Sequence, residues 1–354
     1  MSNSITDLET PCALVDLDRV EANIRAFQQH CDKLGLKHRP HIKTHKLPEF
    51  AHLQIEAGAI GITCQKLGEA EVMADAGITD IFLPYNLLGQ AKLARAVALA
   101  RRIKLSLSCD NVVVAKGLSD AFSAAGLTVD ILVECETGLK RCGVQTPDAA
   151  VELAKAIAAL PGLCFGGLMT YPPPGGATHA DKFLGDAVDG LKAAGLACPV
   201  VSTGGSPDMW QAGLYRNATE YRTGTYIYND RSLIEYGACE VEDCALTVLT
   251  TVISTPEPQR CVIDAGSKAV TSDTMGLKGH ALFLEHPGLM LLSLSEEHGG
   301  CVVPEGRSAP ELGERLRLIP NHVCVVSNLF DEVHLVRGDQ VQASVPVAAR
   351  GRVA

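Results

Sequence analysis

No stretch of about 18 consecutive apolar residues occurs in this chain, so a membrane-spanning helix is not expected. The opening Met-Ser-Asn-Ser-Ile-Thr-Asp has neither a basic start nor an apolar run. No secretory leader is therefore expected, and the cytoplasm is the default compartment. No CxxC pair is present. The thirteen cysteines are scattered, odd in number and mostly set in apolar runs, as at Cys109, Cys164 and Cys261. In a reducing compartment they read as small hydrophobes, not as a disulfide framework. Positive charge is scarce: 31 Lys and Arg stand against 41 Asp and Glu, a net charge of −10. That balance argues against nucleic acid or an anionic membrane as the main partner. A small anionic ligand would need a local cluster of Lys, Arg and His. Internal repeats and low-complexity segments are absent as well.

What the chain does have is length and apolar content. Its 354 residues, 47% of them apolar, suffice for one large α/β domain and a smaller one. Short apolar runs alternate with helical periods. Strands are predicted near 37–44, 60–64, 80–84, 104–109, 129–135, 163–170, 199–203 and 220–228. Helices are predicted between most of them, near 47–58, 67–76, 90–101, 111–125, 148–160 and 180–194. Apolar runs flanked by Gly and polar residues suit buried parallel strands. Eight such units predict an α/β fold, a (β/α)8 TIM-type barrel, in preference to an open doubly wound sheet. After Tyr228 the runs turn short and β-like, with turn pairs such as Gly299-Gly300 and Gly338-Asp339 between them. A mostly antiparallel β-domain is expected there. The expected division is a barrel over 18–238 and a β-domain over 239–354, joined by an N-terminal strand at 10–17.

The densest cluster of cationic side chains is Arg39-Pro40-His41-Ile42-Lys43-Thr44-His45-Lys46. It falls at the C-terminal end of the first barrel strand, the edge where barrel enzymes carry their sites. On a strand His41, Lys43 and His45 would share one face. A lysine among cations can have a lowered ammonium pKa and act as a base or form an imine. A solvated basic turn is the plainer alternative. Ser202-Thr203-Gly204-Gly205-Ser206 and Arg222-Thr223-Gly224-Thr225-Tyr226 follow the seventh and eighth strands, where barrels bind phosphate. Each could also be an ordinary turn. Arg141, after the fifth strand, can bind an anionic oxygen or lie at the surface. Tyr171, after the sixth, can put its hydroxyl in the mouth or pack in the core. His322-Val323-Cys324 sets imidazole and thiol two apart, which on a strand points both at one metal. The alternative is a buried Cys beside a satisfied His. Two protein ligands would leave room for water or substrate, as in a catalytic site.

Taken together, these residues resemble one family. Arg-Pro-His-Ile-Lys-Thr-His-Lys (39–46), Cys-Gln-Lys (64–66), Gly-Leu-Lys-Arg-Cys-Gly-Val (138–144), Asp-Ala-Gly-Ser-Lys (264–268), Glu-Glu-His-Gly (296–299) and Pro-Asn-His-Val-Cys (320–324) carry the likeness. It is to the D-threonine aldolase / D-serine dehydratase family, fold-type III pyridoxal phosphate enzymes with an alanine racemase-like barrel. The resemblance implies a homodimer that uses pyridoxal 5'-phosphate and a divalent metal, zinc or manganese. It implies a lyase acting on D-3-hydroxy amino acids: an aldolase releasing glycine and an aldehyde or, as the alternative, a D-serine or 3-hydroxy-D-aspartate dehydratase giving a 2-keto acid and ammonia. Racemisation is a third and lesser option. Lys43 would carry the cofactor, with His41 and Arg141 as its catalytic neighbours. Gln65, Arg141, Tyr171, Ser202, Thr203, Gly204, Gly205, Arg222, Gly224 and Thr225 would line it. His322 and Cys324 would hold the metal. The sequence departs from the aldolase pattern at Tyr171, which precedes a proline run, and at its His-x-Cys, which resembles the eukaryotic-type dehydratases.

Overall fold

The computed structural model describes residues 4–354. A first strand and helix, β1 (Cys12–Asp16) and α1 (Leu17–Leu34), open the chain. The next strands are β2 (Lys37–His38), β3 (Ile62–Thr63), β4 (Asp80–Leu83) and β5 (Lys104–Cys109). Four more follow: β6 (Val129–Cys135), β7 (Leu163–Thr170), β8 (Val200–Thr203) and β9 (Glu220–Tyr221). Between them lie α2 (Pro48–Glu56), α3 (Leu67–Asp75), α4 (Gln90–Ala100), α5 (Val112–Ala124), α6 (Pro147–Ala159) and α7 (Ala177–Ala193). The remainder is α8 (Arg231–Glu235), β10 (Leu246–Glu257), β11 (Arg260–Ile263), α9 (Ser267–Val270), β12 (Ala281–Phe283), β13 (Met290–Leu294), β14 (Gly299–Val302), β15 (Arg315–Pro320), α10 (Val323–Leu329), β16 (Glu332–Arg337) and β17 (Gln340–Pro346). Two compact units result. One holds residues 25–43, 48–224 and 352–354; the other holds the described residues up to 24, with 44–47 and 225–351.

The first unit is the expected eight-stranded parallel barrel, in the order β2-β9-β8-β7-β6-β5-β4-β3. His41 and Thr63 form a parallel bridge that joins its two ends. The Ile42 amide donates to the Thr63 carbonyl at 2.9 Å and the Thr63 amide to the Pro40 carbonyl at 2.7 Å. Local chemistry explains the alternation. Asn111 accepts from the Val114 amide at 3.0 Å and starts α5; Thr146 accepts from the Ala149 amide, with Pro147 next, and starts α6. Gly167 in β7 has φ +138, and a Cβ there would lie 1.9 Å from the Val200 carbonyl oxygen, so β8 can approach only a glycine. Phe82, Leu132 and Met169 form a buried cluster in this unit. Each such side chain contributes roughly 1.5–3 kcal/mol by burial.

The second unit is a nine-stranded sheet. Six of its strands, β10-β11-β14-β13-β12-β15, form a closed antiparallel ring. The long strand β10 makes this possible. It pairs with β15 over 248–251, with β11 beyond 252, and with β1 over 246–249. β16 joins β1 in parallel and β17 closes the row. No helix among the described residues is long and apolar enough to cross a membrane.

Several local expectations are corrected. The first barrel strand does not run to Thr44: after His38 only the bridge at His41 remains, and residues 42–45 form a turn. Pro40 has no amide to donate, and Lys46 sits at φ 59, so a ladder cannot continue there. His41, Lys43 and His45 therefore share no strand face, and His45 belongs to the second unit. The eighth strand stops at Tyr221, and Thr225–Ile227 is a 3-10 turn. His322 and Cys324 lie at the start of helix α10, not on a strand. Helix α1 was not anticipated.

Candidate active site

In the barrel unit, the predicted residues converge at the ends of the strands. The Lys43 Nζ lies 5.8 Å from the centre of the Tyr171 ring. The Arg141 guanidinium lies 5.2 Å from the centre of the same ring. The turn after β8 is shaped to that ring: a Cβ on Gly205 would come within 3.2 Å of it. Gly204 has φ +122, and its Cβ would meet the Arg222 carbonyl oxygen at 2.7 Å. Ser206 accepts from the Gly224 amide at 3.2 Å, tying the seventh and eighth loops together.

His41 supports Lys43 directly. Its Nδ1 accepts the Lys43 backbone amide at 3.3 Å, so the ring proton is on Nε2, which donates to Gln65 Oε1 at 3.0 Å. Gln65 Nε2 in turn donates to the Pro84 carbonyl at 3.2 Å. Burial, and then the nearby Lys43 charge, hold His41 well below the ordinary histidine range. The imidazole is neutral and both nitrogens are engaged, so His41 positions the lysine loop.

Arg222 is buried deeper. It donates to Ser202 Oγ, and its Nη2 to the Thr170 carbonyl at 2.7 Å. Ser202 Oγ donates to Glu220 Oε1 at 2.5 Å, and Glu220 Oε2 accepts Arg39 Nε at 2.8 Å. Burial pulls the Arg222 guanidinium down to about 10, against the pull of Glu220 and Glu134. It remains charged at neutral pH. Ser202 is thus a buttress of Arg222, and Thr203 accepts the Arg222 amide through its carbonyl at 2.8 Å. One residue was not anticipated. Glu134, at the end of β6, is 5% exposed and stands 4.0 Å from Arg141. Burial raises its carboxyl above the usual range, with Arg141 opposing. Its signal in the sequence was a lone carboxylate in the apolar run Ile131-Leu132-Val133-Glu134-Cys135.

The second unit gathers a different set. Cys324 Sγ lies 3.1 Å from Thr44 Oγ1 and 3.7 Å from Thr225 Oγ1. Thr225, expected at the cofactor, belongs to this unit and touches the candidate metal ligand. His322 Nδ1 pairs with Asp273 Oδ2 at 2.7 Å. Burial disfavours a charged His322, yet the Cys324 thiolate and the Asp273 carboxylate outweigh it and lift the imidazole to about 9. Asp230, fully buried, also favours the charged imidazole and accepts from the Val323 and Leu233 amides, each at 3.1 Å. Among the described residues no group of three or more His, Cys, Asp or Glu is arranged to hold a metal. His322 and Cys324 offer one nitrogen and one sulfur. Lys268 and Glu297, from two of the quoted motifs, form an exposed ion pair at 2.6 Å.

The donor sets fit the groups expected of them. Lys43, Arg141 and Arg222 bring positive charge to a glycine turn, which suits an anionic aromatic cofactor with a phosphate. A thiolate and an imidazole flanked by carboxylates suit a borderline-soft divalent cation.

Comparison with known proteins agrees with this geometry. Residues 15–232 match the alanine racemase N-terminal domain and residues 245–336 a serine dehydratase domain. A D-threonine aldolase from Arthrobacter sp is 36% identical over 97% of this chain and 93% of its own length. The crystal structure of D-threonine aldolase from Filomicrobium marinum has a TM-score of 0.92 at 33% identity, covering 100% of this chain and 98% of that one. A cysteine-to-alanine variant of a D-threo-3-hydroxyaspartate dehydratase, solved in the metal-free form, has a TM-score of 0.88 at 32% identity, covering 97% of this chain and 99% of that one. The chain belongs to the D-threonine aldolase / D-serine dehydratase family, with its alanine racemase-like barrel and its serine dehydratase domain.

Proposed function

We propose that this protein is a pyridoxal-phosphate- and metal-dependent lyase that splits D-configured 3-hydroxy amino acids into glycine and an aldehyde. One observation carries the reading: Lys43 and Arg141 both face the Tyr171 ring, beside a turn in which Gly204, at φ +122, must be glycine. When bound, pyridoxal phosphate supplies the electron sink for the bond broken at the substrate α-carbon. Lys43 would hold the cofactor covalently, and its amine would hold a proton at the substrate α-carbon. His41 fixes the lysine backbone. Arg141 would bind an anionic oxygen, with Glu134 4.0 Å from it. Gly204, Gly205 and Ser206 would cradle the phosphate, and Arg222 underpins that turn from within. His322 and Cys324 would hold the metal, whose Lewis acidity would serve to polarise the substrate 3-hydroxyl. The thiolate favours zinc over manganese by softness. The metal-free description of the related dehydratase variant, which lacks one cysteine, supports a metal role for a cysteine in this family.

That same likeness, and the His-x-Cys pattern, favour a second reading. In it the hydroxyl leaves and the products are a 2-keto acid and ammonia, from D-serine or 3-hydroxy-D-aspartate. Incubation of the metal-loaded holoenzyme with D-threonine tests the first reading: acetaldehyde and glycine are expected. Pyruvate and ammonia from D-serine would install the second reading instead. Formation of the L-amino acid with neither product set would overturn both. We further infer a homodimer, which light scattering on the eluting protein checks as twice the chain mass of 37.5 kDa.

A further inference from the structure

Asp273 was not singled out by any sequence motif. It lies 49 residues before His322, on the segment between α9 and β12. Its two carboxylate oxygens are divided. Oδ1 accepts the Met275 amide at 3.1 Å, and Oδ2 meets His322 Nδ1 at 2.7 Å. The segment is shaped to deliver it. Thr271 sits at φ 66, unusual for a β-branched residue, and its hydroxyl accepts the Asp273 amide at 3.2 Å. Met275, on the other side, sits at φ 50. The segment is also tied to the residue beside the histidine. Asn321, fully buried, donates from Nδ2 to the carbonyls of Thr274 at 3.1 Å and Gly279 at 2.8 Å. Arg231 Nη1 bridges Asn321 Oδ1 and the Lys278 carbonyl, at 3.2 and 2.9 Å. Carboxylate and imidazole are therefore held by one network within one unit.

A carboxylate can only accept a hydrogen bond, so when the ring is neutral, as it must be to bind a metal, the remaining imidazole proton stands on Nδ1. The second nitrogen, Nε2, is then a lone-pair donor. A carboxylate or carbonyl on the far nitrogen is the arrangement that fixes the tautomer, aims the ring and raises the basicity of a metal-bound histidine. We propose that Asp273 is the positioning residue of the metal centre: it holds His322 as the Nδ1–H tautomer and aims Nε2, together with Cys324 Sγ, at a divalent cation. This rests on the metal reading given above. It adds a residue that the cation need not touch.

The test uses the full chain and zinc alone. Zinc affinity is measured by competition with a chromophoric chelator for the wild type and for Asp273→Ala, Asp273→Asn and Cys324→Ala. Nitrogen-15 imidazole spectra of the metal-free proteins, recorded well above pH 9 where the His322 ring is neutral and with His322 assigned by a His322→Gln variant, report the tautomer. Wild type is expected to bind zinc and to show Nδ1–H. Cys324→Ala is expected to lose binding and keep the Nδ1–H signal. Asp273→Ala is expected to bind about 10–100-fold more weakly, as loss of an outer-shell partner does. Its His322 signal should move towards a tautomer mixture. Asp273→Asn keeps the size of the side chain and should fall between the two if Asp273→Ala folds poorly. Wild-type affinity or an unchanged tautomer in both Asp273 variants would overturn the proposal. Zinc binding absent from the wild type, or unaffected by Cys324→Ala, would instead sink the metal reading beneath it.

Discussion

Two buried carboxylates, Glu220 in the barrel and Asp230 in the β-unit, are neutralised in opposite ways. In the barrel, Glu220 is held by Arg39, and Arg39 also reaches Asp80 at 2.6 Å. Arg222, Arg141 and Lys43 lie beyond, so the strand ends carry surplus positive charge. In the β-unit, Asp230 is satisfied by Ser232 Oγ at 2.6 Å and by two backbone amides, with no arginine bonded to it among the described residues. Asp273, partly exposed, is satisfied by His322 and an amide. Asp230 and Asp273 therefore put carboxylate oxygens beside His322. One chain thus builds an anion-seeking region with guanidinium groups and a cation-seeking region with hydroxyls and amides. The difference teaches that the type of partner given to a buried carboxylate decides what a nearby site attracts.

That contrast can be broken at graded strength. Lys43→Ala should have the largest effect. The borohydride-reduced, cofactor-tagged peptide should vanish and turnover with it, while zinc binding by the β-unit persists; mass spectrometry of the digest reads the first and chelator competition the second. Next comes Glu220→Ala, which strands Arg39 in the interior. A loss of about 3–5 kcal/mol is expected, read as a lowered urea midpoint. Asp230→Ala leaves the Leu233 and Val323 amides without their acceptor and should cost about 3 kcal/mol. If Asp230→Ala proves the costlier of the two, the view that guanidinium pairing is the more demanding arrangement is wrong.

A pH effect follows in size. His38 is 1% exposed, between Gln28 Oε1 at 3.2 Å and Thr223 Oγ1 at 2.9 Å. Burial pushes it down to about 3. Between its ordinary value of about 6.5 and that limit the unfolded chain takes up a proton that the folded chain refuses. Stability is therefore present above about pH 6.5 and is lost as the pH falls, by up to about 1.4 kcal/mol per pH unit. His41 adds in the same direction. Urea midpoints at pH 7 and pH 5 should differ, and a flat profile would show that neither histidine is held neutral. The smallest effect belongs to the exposed pair Lys182–Asp186, on one face of α7 at 2.7 Å. Lys182→Ala should change stability by less than about 0.5 kcal/mol in thermal unfolding.

Much of the barrel was legible because its residues obey local rules. Five of its strands, from 80–84 to 199–203, lie within a residue of where the apolar runs put them. Helix α1 escaped notice although Val20, Ile24, Phe27 and Cys31 recur at helical spacing and are all buried. The segment after Asn321 misled for a physical reason. Val323-Cys324-Val325-Val326 has strand-like composition, and His322 makes no side-chain cap. The acceptor for the Val323 amide is Asp230, 93 residues away. Tertiary structure thus starts a helix that local propensity would not. Lys43, Arg141, Tyr171 and the glycine turn could be proposed from position on a barrel. Thr44, Glu134 and Asp273 could not be assigned, since their partners are fixed only by folding.

The six-strand ring of the β-unit has a consequence for how this protein behaves at high concentration. A sheet that meets itself leaves no row of free amides for another chain to extend. Within this sheet the outermost strand is β17, largely exposed, with polar Gln340, Gln342 and Ser344 along it and Pro346 at its end. Such a border is a poor template for strand addition. A unit richer in β-strand than its neighbour should therefore resist amyloid-like self-assembly while it stays folded.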